Sequence, residues 1–417
     1  MRRDLLLALL LAAAAAAVSG RCSRALERGL LEQRNEDTWF DADIPRAFAA
    51  MTGGTTDRNR GVLFHPAFGP VTRLVVLLAQ SGLGMEALPA VRLTLALTAA
   101  LWASLQFAFL RALGCTRVDA TLFACMSLSS AAALFWLAVS ESYALGSLSI
   151  VAALLLAAVA ERRPVADAWH AGVTALTFAF TVTNGVFGLL AGFAHRSLKR
   201  VAATGAAGLA AVIVLVAGQV ATNPESRLLP RGRREARFFQ IPDVARVREV
   251  AIAATLHSMV MPGLGRLAQP RRDGGARFCL SVQQEAPGSG GDAGVVAAVC
   301  WAALLALGLF ALATIRELRG PRLVLAAGLA FELTLRAFYG PETFLASLHF
   351  LPLLVGMTAL ATLTRARPVA LVLAVLLAVS AAVNNAARFG EAVAFYGEEG
   401  RSPRIPPPAP PPRARPE

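Results

Sequence analysis

The chain has 417 residues, of which 56% are hydrophobic and only 16% are charged. A soluble protein of this length needs more polar surface, so the ordinary soluble classes are excluded. The net charge of +13 comes almost entirely from arginine, since Lys199 is the only lysine. These arginines cluster in short loops between apolar runs, without the basic helix and interleaved aromatic residues of a nucleic-acid binder. The composition therefore predicts an all-α polytopic membrane protein in contact with membrane lipids, with no nucleic acid partner.

The chain begins with Arg2 and Arg3 followed by an apolar run that ends at Gly20. This pattern fits a cleaved signal peptide or a first membrane helix with a cytoplasmic N-terminus. We favour the uncleaved helix, because the polar loop that follows, residues 21–66, needs a tether. Residues 67–86 are only half apolar and contain Arg73 and Gln80, so we expect an interfacial helix there.

Clearer membrane spans follow the interfacial segment. Their approximate bounds are 88–110, 118–139, 142–160, 168–184, 185–196, 201–220, 295–315, 322–339, 343–363 and 368–387. With the first helix this gives about eleven spans, and every short basic loop then falls on one side, which the arginine rule assigns to the cytoplasm. We expect a bacterial inner (plasma) membrane protein with its C-terminus outside.

Four regions are predicted along the chain. Residues 1–220 form the membrane core with the first outer loop at 21–66, and residues 221–294 form a second outer loop with a surface helix near 243–260 and a flexible run at 287–291. Residues 295–387 hold the last spans, and residues 388–417 form a proline-rich basic tail that we expect to be disordered. None of the five cysteines has metal-ligand spacing, although Cys22 and Cys279 fall on the same predicted side and are candidates for a disulfide.

The first outer loop carries an acidic cluster at Asp37, Asp41 and Asp43. One interpretation is a solvated loop in which Asp43 caps a helix and Pro45 lies in its first turn. The other is a catalytic site, because a carboxylate cluster beside a membrane segment is the first candidate for chemistry in so apolar a chain.

Further polar residues fall at the predicted outer ends of other spans. Glu141 and Tyr143 lie at one outer turn, Asn184 at the next, and Glu342 at a third. Loops are polar in general, but Glu141 is flanked by deeply apolar sequence, where a carboxylate is costly unless it is hydrated or paired. We therefore expect these groups to face one outer site.

The predicted span 322–339 contains Glu332 and Arg336, four residues apart on one helix face. They form either an ion pair that holds the bundle together or a site in which Arg336 grips a phosphate, since its guanidinium donates two hydrogen bonds to an oxyanion. His349 lies seven residues after Glu342 on the next span and is either a helix-contact residue or part of that site.

Together these segments resemble the GT-C class of integral-membrane glycosyltransferases, and in particular its protein O-mannosyltransferase-like branch. The resemblance covers roughly residues 1–200. It rests on Trp39-Phe40-Asp41-Ala42-Asp43, His65-Pro66-Ala67-Phe68, Phe135-Trp136, Glu141-Ser142-Tyr143-Ala144-Leu145 and Thr183-Asn184. Many relatives have adjacent Asp-Glu in the first loop, whereas here the acids are Asp41 and Asp43, so the identity of the base stays open between them.

The resemblance implies transfer of a sugar from a polyprenyl-phosphate donor to a lipid, glycan or protein acceptor at the outer face, by single displacement. Asp41 or Asp43 would be the catalytic base. The substrate-binding residues would be Glu141, Tyr143, His65, Asn184, Arg336, His349, Glu342 and Arg73. No cofactor is expected; Asp41 and Asp43 could hold a divalent metal, but we favour a metal-free reaction.

Two other functions remain open. In a transporter or lipid flippase, Glu141, Glu332 and Arg336 would line a path through the membrane, but the halves of the sequence show no repeat that such proteins commonly have. A non-catalytic membrane scaffold would use the proline-rich tail as its contact arm.

Overall fold

The computed structural model describes residues 2–26, 38–53, 64–222, 238–270 and 276–399. Helices dominate this part of the chain, and one two-stranded antiparallel sheet accompanies them. Seven of the helices are long and apolar enough to cross a membrane by length and composition. The predicted all-α polytopic membrane fold is therefore confirmed at this level, whereas the count of eleven spans stays a prediction.

The first part of the described chain forms ten helices. They are α1 (Arg2–Ala25), α2 (Ile44–Thr52), α3 (Phe68–Leu83), α4 (Ala87–Leu113), α5 (Arg117–Leu128), α6 (Ala131–Trp136), α7 (Tyr143–Ala160), α8 (Asp167–Phe180), α9 (Gly185–Phe193) and α10 (Leu198–Thr222). The second part forms five helices and two strands. They are α11 (Val244–Ile252), β1 (Gly265–Pro270), β2 (Ala276–Ser281), α12 (Asp292–Thr314), α13 (Arg319–Phe338), α14 (Ser347–Ala359) and α15 (Arg367–Glu399).

The span predicted at 118–139 is two helices, α5 and α6. Thr116 begins α5 with a capping box, and Ser130 begins α6 by accepting a hydrogen bond from the Ala133 amide. The first amides of α6 donate to the carbonyl groups of Ser258 and Met259, 3.0 Å away. A second chain segment therefore satisfies the backbone groups that this break exposes, as burial in an apolar bundle requires.

The basic loops between helices meet at one end of the bundle, which we call the basic end. Asp4 accepts hydrogen bonds from Arg111 and Arg117, and Asp119 accepts two from Arg367. The Glu161 carboxylate accepts hydrogen bonds from the backbone amides of residues 319 and 320, the first turn of α13. A carboxylate at a helix N-terminus is favourable, because it satisfies amides that have no partner within the helix.

Several predicted boundaries are wrong. The tail predicted from residue 388 starts later, because α15 continues to Glu399 and packs Phe389 and Tyr396 against the core; residues 400–417 lie outside the described part. The surface helix predicted near 243–260 is the shorter α11, followed by a π-helical turn at 253–257. The β1–β2 hairpin was not predicted at all.

Two smaller expectations concern the second outer loop. The run 287–291 forms turns in which Gly288 and Gly291 adopt the left-handed conformation that glycine allows at no steric cost. Cys22 and Cys279 are both buried, and they are not joined to each other by a disulfide.

Candidate functional site

The first outer loop is fixed to the bundle by its aromatic residues. Trp39 and Phe40 are fully buried. The Trp39 ring lies 5.5 Å from those of Phe135 and Tyr396 and 5.9 Å from that of Phe389, between centroids. Buried aromatic pairs of this kind contribute about 0.5–1.5 kcal/mol each beyond the area they bury. Although it is a loop, this segment is thus held in place by α6 and α15.

Asp41 follows this anchor in an uncommon backbone conformation. Phe40 and Asp41 have φ angles of 51° and 62°, and both are therefore left-handed without being glycine. Aspartate tolerates this region better than most residues, but a bulky aromatic residue does not. Such backbone strain, of order 1–3 kcal/mol, persists where packing enforces it and is concentrated at functional sites.

Asp43 lies at the N-cap of α2 as predicted, but its side chain makes no capping hydrogen bond. Its carboxylate pairs instead with Arg46, one turn further along the helix. The expected cap is wrong because the arginine is a charged partner within reach, and hydrogen bonds between charged groups are stronger than neutral ones. The Asp43 carboxylate is therefore engaged by a cation on α2.

Glu141 lies in the turn before α7 and is buried. Its Oε1 accepts hydrogen bonds from the Ser142 amide at 2.7 Å and the Ser142 hydroxyl at 2.9 Å. Burial raises the pKa of Glu141, while the Ser142 hydrogen bonds, the Arg46 charge and the Asp43 backbone amide oppose the change. The interaction with the Asp43 amide places Glu141 beside the first loop. The neighbouring Ser140 also contacts this loop, because its hydroxyl donates to the Ile44 carbonyl at 3.2 Å.

Glu342 lies beyond the end of α13 and faces Asp41. Burial raises the pKa of Glu342 to about 7, and the negative charge of Asp41 adds to the rise. The Ser281 hydroxyl donates to Oε2 at 2.5 Å and the Phe344 amide to Oε1 at 3.3 Å. Both hydrogen bonds oppose the rise in the pKa of Glu342. Each first-loop acid therefore has a second carboxylate near it, Glu342 for Asp41 and Glu141 for Asp43.

His65 connects the first loop to two helix ends. Its Nδ1 lies 2.8 Å from the Phe180 carbonyl and its Nε2 lies 3.3 Å from the Ser142 hydroxyl. The pKa of His65 is lowered to about 4, chiefly by burial and to a smaller degree by the nearby His349 and Arg336. A neutral ring whose two nitrogens both contact protein groups positions Ser142, and through it Glu141.

Tyr143 lies between the acids and the basic residues. Its ring centroid is 5.1 Å from that of His349 and 5.9 Å from the guanidinium carbon of Arg336. It interacts electrostatically with Arg336, Glu141, Asp43 and Glu332. The sequence-predicted groups of the first loop, α7, α13 and α14 are therefore neighbours at one end of the bundle, which we call the acidic end.

Asn184 also lies at the acidic end, where it contacts Gly146 of α7. Its Nδ2 donates to the Gly146 carbonyl at 3.0 Å, while its buried Oδ1 makes no hydrogen bond within the described residues. A Cβ atom on Gly146 would lie 2.4 Å from His349 Nε2 and 2.9 Å from Thr181 Oγ1. Only glycine fits at this position of α7, because His349 and Thr181 fill the space.

Glu332, Arg336 and His349 form a buried polar group inside the bundle. One Glu332 oxygen lies 3.7 Å from Arg336 Nε, and the other lies 3.7 Å from His349 Nδ1. The predicted contact between Glu332 and Arg336 is therefore present. The contact with His349 was missed, because it joins two helices and has no signal in local spacing.

Arg73 lies apart from these groups. It is exposed, and its guanidinium carbon is 3.0 Å from the position of a Cβ atom on Gly53, where α2 ends. A cation at this place interacts favourably with the C-terminus of α2.

Other functional neighbours were also missed. Gln283 accepts a hydrogen bond from the Thr343 amide, and Arg246 donates to the carbonyls of residues 336, 340 and 341 at the end of α13. These residues come from the second outer loop, in which no site residue was predicted. Within the described ranges, no three acidic, histidine or cysteine side chains are grouped as metal ligands.

No family model, curated protein or solved structure matches this chain.

Proposed function

We propose that this protein is a membrane glycosyltransferase of the GT-C type that moves a sugar from a polyprenyl-phosphate donor to an acceptor. One observation carries the proposal: four carboxylates, a tyrosine, an arginine and a histidine from four chain segments interact with one another at one end of an apolar helix bundle. This arrangement suits a donor whose prenyl chain stays in the bilayer while its phosphate and sugar reach a polar site.

The reaction would be a single displacement at the sugar C1 atom. The acceptor oxygen or nitrogen forms a bond to C1, the bond from C1 to the phosphate oxygen breaks, and polyprenyl phosphate leaves with the electron pair. Asp41 takes the acceptor proton. We favour Asp41 as the base, with Asp43, whose carboxylate is paired with Arg46, as the alternative.

Binding roles follow from position. Arg336 and His349 would stabilise the negative charge on the departing phosphate, as donors placed before the reaction do most effectively. Glu141, Tyr143 and Asn184 would contact sugar hydroxyls, and His65 would hold Glu141 in place through Ser142. Glu342, whose pKa is raised to about 7 by burial and by the charge of Asp41, would exchange its proton near neutral pH next to the base. Arg73, which lies at the C-terminus of α2, is assigned no step in this reaction.

The test is Asp41→Asn in proteoliposomes that contain radiolabelled polyprenyl-phosphate sugars, with release of label from the lipid fraction as the measurement. Asparagine tolerates the left-handed conformation as well as aspartate, so the loop keeps its shape. We expect release to fall by a factor of about 10² to 10⁴, the usual contribution of a general base. Asp167→Asn at the basic end is the matched control and should keep wild-type turnover.

Normal turnover by Asp41→Asn would reject Asp41 as the base. The same measurement of label release in Asp43→Asn would then show whether Asp43 is the base instead.

The buried charges inside the bundle favour one alternative, a transporter. Ionisable groups within membrane helices often mark ion or substrate paths. Uptake of a labelled solute by sealed vesicles, with no transfer of sugar from any lipid donor, would support that alternative and exclude the transferase.

A further inference from the structure

The buried group of Glu332, Arg336 and His349 has unused hydrogen-bonding capacity. Glu332 and His349 are fully buried, and Arg336 is 7% exposed. Both carboxylate oxygens, Arg336 Nε and both His349 ring nitrogens lack hydrogen-bond partners in the described part of the chain. Their separations of 3.7 Å exceed the 2.7–2.9 Å typical of charge-assisted hydrogen bonds. Since buried polar groups are rarely left unsatisfied, the open donors on Arg336 and His349 point to an anionic ligand, whereas the Glu332 oxygens, which only accept hydrogen bonds, take no part in holding it.

The charges of this group select which anion fits. Arg336 always carries one positive charge. Glu332 carries one negative charge when ionised, and His349 is either neutral or positive. The three side chains therefore sum to between zero and one positive charge. Nearby, Arg46 is already paired with Asp43, so Arg46 brings no spare positive charge to the site.

We propose that Glu332 is a specificity residue that restricts the site to a singly charged phosphodiester, the form of a lipid monophosphate sugar, and rejects a lipid diphosphate. This inference rests on the proposed function, because it assumes that Arg336 and His349 bind the phosphate of a lipid donor.

The mechanism of selection is repulsion at short range. A phosphodiester brings one negative charge, which Arg336 and His349 offset. A diphosphate brings additional charge into the same space, close to the Glu332 carboxylate. In a protein interior such like charges repel far more than in water, so the second phosphate is excluded. Glu332 also holds His349 by its Nδ1 side, which turns Nε2 toward Gly146 and Thr181.

The experiment measures binding of prenyl probes to the full-length protein in nanodiscs of zwitterionic lipid. The probes are farnesyl methyl phosphate, which is a singly charged diester, farnesyl diphosphate and uncharged farnesol. We expect the wild type to bind the diester at least about tenfold more tightly than the diphosphate. Glu332→Gln keeps the shape but removes the charge, and should shift that ratio toward the diphosphate by about tenfold or more.

Two variants serve as controls. Glu391→Gln removes a carboxylate from an exposed ion pair on α15 and should leave the ratio unchanged. Glu332→Asp keeps the charge and should keep the preference for the diester. A residue that served only as a structural ion pair would not give this dependence of ligand preference on charge.

The outcomes separate the two levels of the proposal. Equal wild-type affinity for diester and diphosphate, or an unchanged ratio in Glu332→Gln, overturns the role of Glu332. Arg336→Gln should lose binding of both anionic probes while farnesol is unaffected. If Arg336→Gln still binds the diester as the wild type does, the phosphate site itself is wrong, and with it the proposed function.

Discussion

Glu342 shows how the burial of one carboxyl group makes the stability of the protein depend on pH. In the folded protein its pKa is raised from 4.5 to about 7 because the carboxyl is buried beside Asp41. Between these values the folded chain retains a proton that the unfolded chain releases, so this group makes the protein less stable as pH rises. A shift of this size corresponds to about 3 kcal/mol at most.

Glu342→Gln removes that dependence. We expect the melting temperature of the variant to rise relative to the wild type as pH increases from 5 to 7.5, measured by scanning fluorimetry in detergent. Glu86→Gln, at an exposed N-cap, should follow the wild-type curve throughout. Parallel curves for Glu342→Gln and wild type would mean that Glu342 titrates normally.

Residue positions were predictable where the signal is local. The spacing of four between Glu332 and Arg336 placed them on one helix face, and they are neighbours. Two other contacts depend on three-dimensional packing. One is the pairing of Asp43 with Arg46 in place of a helix cap, and the other is the contact between Glu332 and His349. Spacing along the chain carries no information about the distance between two helices.

At the scale of elements, α7 is fitted to the site by Gly146. Gly146→Ala places a methyl group against His349 and Thr181, and overpacking of this kind typically costs about 1–3 kcal/mol. We expect a lower melting temperature and weaker binding of farnesyl methyl phosphate, because His349 is displaced.

The matched control for this variant lies on α8. A Cβ atom on Gly172 meets nothing within 4 Å. Gly172→Ala should be neutral or slightly stabilising, since alanine favours a helix over glycine by about 1 kcal/mol. If the two variants behave alike, close packing at Gly146 is not what positions His349.

The first outer loop depends on Trp39 in the same way. Trp39→Ala removes a fully buried ring and should cost about 3–5 kcal/mol. Hydrogen exchange in residues 38–53 should then become faster. Trp169→Ala is the control, because this ring is 68% exposed and its loss should leave exchange in that loop unchanged.

The β1–β2 hairpin illustrates what element prediction overlooked. In the sequence, Asp273-Gly274 lies between the two strand segments, and this dipeptide is typical of hairpin turns, but the first segment, Gly265–Pro270, has no β-branched or aromatic residue. In a chain dominated by apolar helices that weak signal was easily missed. The hairpin matters for the site because the Leu280 amide donates to the Thr38 carbonyl at 2.9 Å, next to the aromatic anchor.

For the whole molecule, the basic and acidic groups lie at opposite ends of α7. Asp43 approaches Glu141 and Tyr143 at its start, and Glu161 contacts α13 at its end, 18 residues later. A helix of that length spans about 27 Å, close to the thickness of a bilayer core. The arginine pattern predicted this separation of charge, whereas the arrangement of helices around the site followed only from packing.

Membrane orientation is testable on that basis. We expect Ala50→Cys, at the acidic end, to react with an impermeant maleimide in intact cells. Arg163→Cys, at the basic end, should react only after the membrane is permeabilised. Both side chains are exposed, and labelling is compared with the unsubstituted chain to correct for its own cysteines. Labelling of both positions from the same side would contradict the proposed topology.

The hydroxyl groups of Thr38 and Tyr396 are in contact although 358 positions separate them. During synthesis the ribosome must therefore release almost the whole chain before this contact forms. Until then the acid-bearing segment lacks its final support, even though the helices that carry Glu332, Arg336 and His349 have already been made. The first outer loop therefore reaches its final packing late in biogenesis, only after α15 is in place.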